Sequence, residues 1–154
     1  MRIFDHLSEE CIIIGAQSVN KDVLVRTAVG KLCSVHDILE EEAVYEAVME
    51  KEMVMSTGIG CGLAIPHAKV DFVNKMHLAA ISLKRGADFS SIDKEPVYLL
   101  FLLISPKEAT GPHIQALSSI CRVVSDSKLR NSLIQATTSQ EFYKTLRDWE
   151  EKNS

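Results

Sequence analysis

The sequence predicts an α/β fold, with a mixed β-sheet flanked by α-helices on both faces. Segments with helical and strand periodicity alternate along the chain, which is typical of this class. The segment 97–104, VYLLFLLI, is apolar on both faces, as expected for a central strand covered by helices on its two sides. The chain has 154 residues, of which 46% are hydrophobic, so it can bury a substantial core, and we expect residues 1–154 to form a single domain.

The first part of the chain begins with a strand and two helices. Residues 11–14, CIII, have the composition of a short strand. Residues from about 21 to 35 then have helical spacing, and Asn20 is a suitable N-cap. The apolar stripe of this helix consists of Leu24, Val25, Ala28, Val29 and Leu32. A second helix, roughly residues 41–52, is apolar on one face, at Ala43, Val44, Ala47 and Val48.

The second part contains the main strands and three helices. Residues 76–84 and 97–104 are the predicted strands, joined by a polar loop over residues 86–96. A third helix runs from about residue 112 to residue 124, and Pro112 suits its first turn. Its predicted core face consists of Ile114, Leu117, Ile120, Cys121 and Val124. Two shorter helices follow, striped by Leu129, Leu133 and Ile134 and, after a capping box of Thr138 and Glu141, by Phe142, Leu146 and Trp149.

Charge and composition argue against several classes of function. The chain has 17 basic and 21 acidic residues and a formal net charge of −4, without a basic stripe interleaved with aromatic residues, so we expect no binding to nucleic acid. The N-terminus lacks an apolar signal core, and the longest apolar run, residues 97–104, is too short to cross a bilayer. We therefore expect a cytoplasmic protein that does not insert into membranes.

The cysteines and three of the histidines form no recognisable site. The four cysteines include no C-x-x-C pair, so neither a zinc site nor a disulfide framework is indicated, and we expect at least three of them to be buried. They are Cys11, Cys33, Cys61 and Cys121. Three histidines are expected to face solvent at element ends or in loops, without a function. They are His6, His36 and His77.

The segment 56–67, STGIGCGLAIPH, is the most informative part of the chain. Gly58, Gly60 and Gly62 allow left-handed backbone geometry and close approach of a partner, and Pro66 restricts the backbone just before His67. The pattern therefore predicts a histidine held at a defined place. The same glycine alternation is also typical of a bulged edge strand. The segment is neither a Walker loop nor a dinucleotide fingerprint, so nucleotide binding is not expected.

His113 is the second histidine of interest. It lies at the predicted start of a helix, just after the most buried strand, which is where sites gather in open α/β sheets. A helix N-terminus also offers free N–H groups and the positive end of the helix dipole, both suited to a phosphate. A surface histidine without a role is the alternative.

These residues support a family resemblance. STGIGCGLAIPH resembles the active-site segment of the IIA domains of the fructose and mannitol class of the bacterial phosphotransferase system. The segment PVYLLFLLISPKEATGPHIQALSSI resembles the family's central strand, loop and histidine-bearing helix, and the opening helix pair fits as well. The resemblance covers nearly the full chain and implies the mannitol-type IIA fold.

The resemblance implies that His67 accepts a phosphoryl group from the phosphohistidine of HPr or a related carrier, with His113 in support. The recipient is a cysteine of a IIB domain in transporting members, whereas in nitrogen-type members the phosphorylation state alters binding to regulatory proteins. A free-standing nitrogen-type regulator is our leading interpretation. The chain would carry phosphate without turning over a metabolite, and neither a metal nor a cofactor has to be invoked.

The remaining expected site residues bind the phosphate or dock the partner. They are Thr57, Gly58, Ile59, Gly60, Gly62 and Ile65, with N–H groups near Gly58 to Gly62 and the His113 side chain as oxygen donors. Lys51 is a further electrostatic aid, at a position where the family commonly has arginine. Ala68 replaces a common glycine. These two departures leave open the possibility of a binding module that no longer transfers phosphate. A thiol hydrolase based on Cys61 and His67 is disfavoured, because no third residue that would orient the histidine is identifiable.

Overall fold

A mixed six-stranded sheet forms the centre of the protein in a computed structural model that describes residues 1–54 and 56–153. A short 3-10 helix, Ile3–Asp5, precedes the sheet. The strands are β1 (Leu7–Ala16), β2 (Gly58–Gly60), β3 (Leu63–Ala64), β4 (His67–Val70), β5 (His77–Ala87) and β6 (Val97–Pro106). The helices are α1 (Lys21–Val35), α2 (Glu41–Val54), α3 (Thr110–Ser125), α4 (Ser127–Gln135) and α5 (Ser139–Lys152).

The sheet order is β1-β5-β6-β3-β2, and β4 also pairs with β6. β5 and β6 are antiparallel, whereas β1 is parallel to β5, and both β3 and β4 are parallel to β6. Every residue of β6 except Tyr98 is buried, which confirms the prediction of a central strand covered on both faces. The helices flank this mixed sheet on its two sides, as the α/β prediction required.

The local sequence signals of α1 are confirmed, and those of α2 are confirmed in part. α1 has the predicted bounds, and the side chain of Asn20 accepts a hydrogen bond from the N–H of Val23. All five predicted stripe residues of α1 are buried. In α2 the apolar face is narrower than predicted, because Val44 and Val48 are buried whereas Ala43 is exposed.

The predicted core face of α3 is partly wrong. Ile120 and Val124 are buried as expected, but Ile114 and Cys121 are exposed. The helix is rotated so that its buried face is made by His113, Ala116, Ser119, Ile120, Val123 and Val124. Small and polar side chains therefore occupy positions against the sheet, where they permit close packing of the helix. Apolar periodicity alone does not reveal such a face.

The capping box at the start of α5 is only half formed. The Thr138 hydroxyl accepts a hydrogen bond from the N–H of Glu141, as predicted. The Glu141 carboxylate, however, accepts from the N–H and hydroxyl of Thr137, one residue before the N-cap. Two neighbouring threonines, Thr137 and Thr138, therefore share the capping interactions with Glu141 at the start of α5.

Two expectations about cysteine and histidine burial are wrong. Only Cys11 and Cys33 are buried, whereas Cys61 and Cys121 are exposed. His77 does not face solvent: it is buried at the start of β5, and its ring lies 4.2 Å from that of His36, measured between centroids. His36 is half-buried, so the prediction of a solvent-facing side chain is wrong for His77. Within the described chain, no helix combines the length and apolar character needed to span a membrane.

Candidate functional site

The glycine-rich segment folds into a β-hairpin made of β2 and β3. Gly60 pairs with Leu63 across the hairpin, and the connecting residues Cys61 and Gly62 both have positive φ, of 57° and 73°. Positive φ at both connecting residues is the requirement of the two-residue turn that matches strand twist. β2 lies at the end of the sheet with an irregular register, so the edge-strand interpretation of the glycines is also correct.

Gly58 is needed for close packing against the loop before β6. A Cβ atom at this position would lie 2.3 Å from the Ser91 hydroxyl oxygen and 3.1 Å from the Cβ of Phe89. Its N–H already donates to the Ser56 hydroxyl, at 3.0 Å. The glycines therefore shape the hairpin and its supports, and the use of their N–H groups as phosphate donors stays a prediction.

His67 begins β4 directly after a break in the strand. β3 pairs with Leu99 and Leu100 of β6, and β4 pairs with the same strand from Leu103 onward, so Ile65 and Pro66 interrupt an otherwise continuous edge. The Pro66 carbonyl accepts a hydrogen bond from Leu103 at 3.0 Å, which keeps the break attached to the central strand. The histidine is thus positioned by the most buried strand of the sheet.

The ring of His67 is held by its own backbone. Its Nδ1 lies 2.7 Å from the carbonyl oxygen of Ile65, and because a carbonyl can only accept, Nδ1 must be the protonated nitrogen. A neutral imidazole then has its lone pair on Nε2. That nitrogen has no hydrogen-bond partner among residues 1–54 and 56–153. The local geometry thus presents a nucleophilic nitrogen at a half-buried position.

The structure brings His113 next to His67. The ring centroids are 5.4 Å apart, and the ring planes are inclined by 56°. His113 lies in the first turn of α3 and is buried, with its Nδ1 2.7 Å from the hydroxyl oxygen of Ser105. Burial first, and then the proximity of His67, Lys69 and Lys51, lowers the pKa of His113 to about 4. The second imidazole is therefore neutral near physiological pH.

A cavity of about 840 Å³ lies beside His67, where β4 meets α2 and α3. Thr57, Ile59 and Ile65 line it together with His67 and Lys51, whereas Gly58, Gly60 and Gly62 are not among its lining residues. Further lining residues are Ala43, Ala47, Glu50, Val54, Ser56, Ala68, Lys69, Val70, Asp71, Phe72, Lys107, Leu117 and Cys121. Apolar walls with a few charged groups are the usual composition of a binding cavity.

Three lysines line this cavity. Lys51 comes from the last turn of α2, and its electrostatic role stays a prediction. Lys69 follows His67 by two positions on β4 and therefore shares its face of the strand, and its Nζ donates to the Thr110 hydroxyl at 3.2 Å. Lys107 is paired with Asp71 at 3.6 Å on the surface. Lys51 and Lys69 thus bring positive charge from α2 and β4 to the cavity that His67 lines.

A buried ion pair supports the approach to the hairpin. The Glu52 carboxylate accepts hydrogen bonds from the N–H of Thr57, at 3.0 Å, and from its hydroxyl. The same carboxylate lies 2.7 Å from Nζ of Lys21, which also donates to the Phe89 carbonyl. The start of α1, the end of α2 and the loop before β6 are joined at one point.

Sequence reasoning missed three contributors to this site. Lys69 lies in a strand too short to be recognised from its pattern. Glu52 lies beside Lys51 in the acidic sequence of α2, and its burial depends on the distant Lys21. Ser105 follows the apolar run 97–104, and a polar residue in that position, eight residues before His113, was the only available signal. No group of three or more histidine, cysteine or acidic side chains suited to a metal ion occurs in the part of the chain that the structure describes.

Known proteins match this chain over most of its length. The family model described as "Phosphoenolpyruvate-dependent sugar phosphotransferase system, EIIA 2" matches residues 5–149. The chain is 31% identical over 136 residues to the PTS system fructose-specific EIIABC component of Bacillus subtilis. That match covers 88% of this chain and 21% of the relative, so the chain corresponds to a small part of that protein.

Solved structures share the fold. The nitrogen regulatory protein IIA-Ntr of Neisseria meningitidis superposes with a TM-score of 0.86 and 30% identity, over 94% of this chain and 98% of that chain. Enzyme IIA-mannitol of Escherichia coli, solved in complex with phosphorylated enzyme IIB-mannitol, superposes with a TM-score of 0.78 over 92% of this chain and 96% of that chain. At 22% identity the second similarity concerns the fold alone.

Proposed function

Because this chain belongs to the EIIA 2 family of the phosphoenolpyruvate-dependent sugar phosphotransferase system, we propose that residues 1–154 form a cytoplasmic phosphocarrier that is phosphorylated on His67. The observation that carries the assignment of the residue is the hydrogen bond from Nδ1 of His67 to the Ile65 carbonyl. It leaves Nε2 as the nitrogen with a lone pair, beside a second histidine and a lysine-lined cavity. The donor is the phosphohistidine of HPr or a related carrier.

The transfer itself is a displacement at phosphorus. The lone pair on Nε2 of His67 attacks the phosphorus of the carrier's phosphohistidine and forms a new N–P bond. The old N–P bond breaks, and its electron pair returns to the carrier's nitrogen. The proton remains on Nδ1, hydrogen-bonded to the Ile65 carbonyl, throughout the transfer. Because both the attacking and the leaving group are imidazole nitrogens, placement and charge stabilisation are the main requirements.

The surroundings of His67 suit the charge of a phosphoryl group. Lys51 and Lys69 line the cavity next to His67, and an N–H of His113 serves as a hydrogen-bond donor to a phosphoryl oxygen. Thr57 lines the same cavity, but its N–H and its hydroxyl both donate to Glu52, so it shapes the wall of the cavity. Donors that are held in place before the partner arrives, as His113 is by Ser105, need no rearrangement during the transfer.

Apolar side chains at the cavity rim provide the docking surface for the partner. Ile59 is 42% exposed and Val54 is 86% exposed, and both line the cavity. Leu63 and Ala64, which follow in the same segment, are buried in β3 and leave Ile59 as the exposed apolar residue of the hairpin. Docking on the rim excludes water from His67, which strengthens the electrostatic interactions at the phosphoryl group.

The recipient in our leading proposal is a regulatory protein whose binding depends on the phosphorylation of His67. Similarity to the nitrogen regulatory protein over nearly its whole length supports this role. Transfer to a cysteine of a separate IIB domain is the alternative, supported by the fructose-specific relative and by the complex known for the mannitol protein. A third candidate, a binding module without transfer, is motivated by Lys51 and Ala68.

The test is phosphorylation in a purified system. The protein is incubated with phosphoenolpyruvate, enzyme I and HPr, and its intact mass is measured before and after mild acid treatment. We expect one acid-labile phosphoryl group on the unmodified protein and on the control His6→Ala, and none on His67→Ala. Absence of phosphate on the unmodified protein would support the binding module, and phosphate on His67→Ala would contradict the site.

A second measurement separates the two recipients. The phosphorylated protein is mixed with a purified IIB domain of the fructose or mannitol class, and loss of the phosphoryl group is followed by mass. Rapid transfer to the IIB cysteine would favour the transport role. If the phosphoryl group stays on His67 in every such mixture, the regulatory role is favoured.

A further inference from the structure

Ser105 is a buried hydroxyl in an otherwise apolar part of the central strand. It lies near the end of β6, is fully buried and follows six buried apolar residues, Leu99 to Ile104. Its Oγ is 2.7 Å from Nδ1 of His113, a good distance for a hydrogen bond between two buried groups. The bond joins the central strand to the first turn of α3, at the point where the second histidine reaches the site.

The direction of this hydrogen bond determines which nitrogen of His113 carries the proton. A neutral imidazole has a single N–H, on either Nδ1 or Nε2. Burial and the nearby charges of His67, Lys69 and Lys51 hold the pKa of His113 at about 4, so the neutral ring is the form present near physiological pH. If Nδ1–H donates to Ser105, then Nε2 presents a lone pair. If the Ser105 hydroxyl donates to Nδ1, then Nε2 presents an N–H.

The need to satisfy the buried serine O–H favours donation by the serine. Within the described residues, the Ser105 hydroxyl has His113 as its one hydrogen-bond partner. Were Nδ1–H the donor, the fully buried serine O–H would be left without an acceptor and would carry the desolvation penalty of an unsatisfied group. When the serine donates, its proton is paired. The N–H on Nε2, which has no partner among these residues, then remains available to a ligand.

We propose that Ser105 is a positioning residue whose hydroxyl donates to Nδ1 of His113 and thereby keeps the ring proton on Nε2. The consequence for transfer rests on the proposed function, whereas the hydrogen bond itself does not. The ring centroids of His113 and His67 are 5.4 Å apart. An N–H on Nε2 of His113 is therefore a donor for an oxygen of the phosphoryl group on His67. The opposite tautomer would direct a lone pair at that negative oxygen.

The direct test is the tautomer of His113 in the unmodified, unphosphorylated protein. Two-dimensional ¹H–¹⁵N spectra that correlate the ring nitrogens with the ring carbon-bound protons distinguish protonated from unprotonated nitrogen. We expect Nδ1 of His113 to have the shift of an unprotonated nitrogen and Nε2 that of a protonated one. Nδ1 with a protonated shift would overturn the proposal, whatever the outcome of any phosphorylation experiment.

The variant Ser105→Ala gives a second test, read from the same spectra. Without the serine donor nothing holds the ring proton on Nε2, so the Nδ1 and Nε2 shifts of His113 should move toward values averaged over the two tautomers. Unchanged shifts in Ser105→Ala would show that the hydroxyl does not select the tautomer and would contradict the proposal. Ser105→Thr retains the hydroxyl, and we expect it to keep the tautomer of the unmodified protein.

Phosphoryl transfer supplies the functional readout. We expect Ser105→Ala to slow phosphorylation of His67 roughly fivefold, as the loss of one orienting hydrogen bond implies, and Ser105→Thr to restore it. Ser82→Ala is the matched control, because Ser82 is a buried strand serine whose hydroxyl accepts from the N–H of Gly15, away from the site. Equal slowing in Ser82→Ala and Ser105→Ala would indicate a general loss of stability and count against a positioning role.

The two proposals fail in different ways. If the unmodified protein is not phosphorylated but Nε2 of His113 is protonated, the proposed function is wrong and the role of Ser105 in the tautomer stands. If His67 is phosphorylated but Nδ1 of His113 carries the proton, only the role of Ser105 is wrong. Should Ser105→Ala fail to fold, the spectrum of the unmodified protein and the rate of Ser105→Thr still decide the matter.

Discussion

The rings of His67 and His113 lie 5.4 Å apart between centroids, one at the start of β4 and the other in the first turn of α3. Their hydrogen bonds differ in kind. His67 is held by a carbonyl two residues earlier in the chain, and His113 by the side chain of Ser105 on another element. The two rings are therefore oriented by separate hydrogen bonds, which allows their roles to be separated by substitution.

Substitution of His113 should slow transfer without abolishing it. We expect His113→Ala to lower the rate of His67 phosphorylation about 10²-fold, the typical effect of losing one donor to a developing charge. Because His113 is buried and bonded to Ser105, this variant should also lose about 1–3 kcal/mol of unfolding free energy. His113→Gln has an amide N–H near the position of Nε2 and should retain more activity. Rapid-quench kinetics and urea unfolding measure the two effects, and equal rates for the two variants would argue against a donor role.

Lys51 should act through charge and geometry together. We expect Lys51→Met to slow transfer about tenfold and Lys51→Arg to match or exceed the unmodified rate, because a guanidinium fork fits phosphate oxygens better than an ammonium group. The effect should shrink at high ionic strength, since Lys51 is exposed. Lys128→Met, an equal charge change on the exposed surface of α4, is the control. Identical slowing in both methionine variants would point to a loss of overall charge.

The pair of His36 and His77, whose rings lie 4.2 Å apart between centroids, should make stability depend on pH. Burial, and then the charges of His36, Lys75 and His6, lowers the pKa of His77 to about 4, and burial also lowers the pKa of His36 from its ordinary value of 6.5. Between pH 6.5 and about 4 the unfolded chain therefore binds more protons than the folded protein. Stability should fall as the pH decreases through this window and should not fall further on account of His77 below it.

The variant His77→Phe isolates this contribution. It retains a ring against His36 and removes the titrating group, so the difference in unfolding free energy between variant and unmodified protein should change by up to about 3 kcal/mol from pH 7 to pH 4. His113 has the same direction of shift and is present in both proteins, so it cancels in the comparison. Urea unfolding at several pH values provides the data. A difference that does not vary with pH would show that His77 is not the cause.

Gly58 should resist even the smallest substitution. The Cβ of Gly58→Ala would lie 2.3 Å from the Ser91 hydroxyl oxygen and 3.0 Å from the Ser91 Cβ, so we expect a loss of about 2 kcal/mol in unfolding free energy. Adding Ser91→Gly removes both atoms and should recover part of the loss. Gly111→Ala is the control, because no atom lies within 4 Å of its added Cβ. If Ser91→Gly restores nothing, the contact with Ser91 is not the reason for the glycine.

The ion pair of Lys21 and Glu52 should couple stability to transfer. Lys21→Met leaves a buried carboxylate without its cation, and we expect a loss of about 2 kcal/mol, less than for a fully buried pair because Lys21 is partly exposed. Glu52→Gln weakens the hold on Thr57 and should also slow phosphorylation of His67. A double-mutant cycle by urea unfolding measures the coupling. Strict additivity of the two changes would mean that the pair contributes nothing as a pair.

Local signals made α1 predictable, whereas β4 depended on distant pairing. Asn20 and the apolar spacing of α1 lie within the segment they define, so the bounds agree with the prediction. β4 has four residues, and its existence depends on the parallel pairing of His67 with Leu103 of β6, which no local pattern encodes. The polar loop expected over residues 86–96 begins two residues late because β5 extends to Ala87.

The residues of the site likewise include some that local sequence predicted and some that it did not. His67 and His113 were identified from a motif and from the end of a strand, and the parallel direction of β4 and β6 explains why they meet. Ser105 and Glu52 could not be assigned, because the role of each depends on a contact made by a buried polar group with a separate element. A prediction based on apolar periodicity therefore overlooks buried polar residues such as these.

The hydrogen bond between His67 and the Ile65 carbonyl spans two residues of one short segment. The choice of attacking nitrogen is therefore encoded within the loop that presents it and does not rely on the integrity of remote helices. Mutations elsewhere that loosen the core will reduce the amount of folded protein and leave the chemical identity of the phosphorylated nitrogen unchanged. A destabilised variant should consequently form the same phosphohistidine isomer, only in smaller yield.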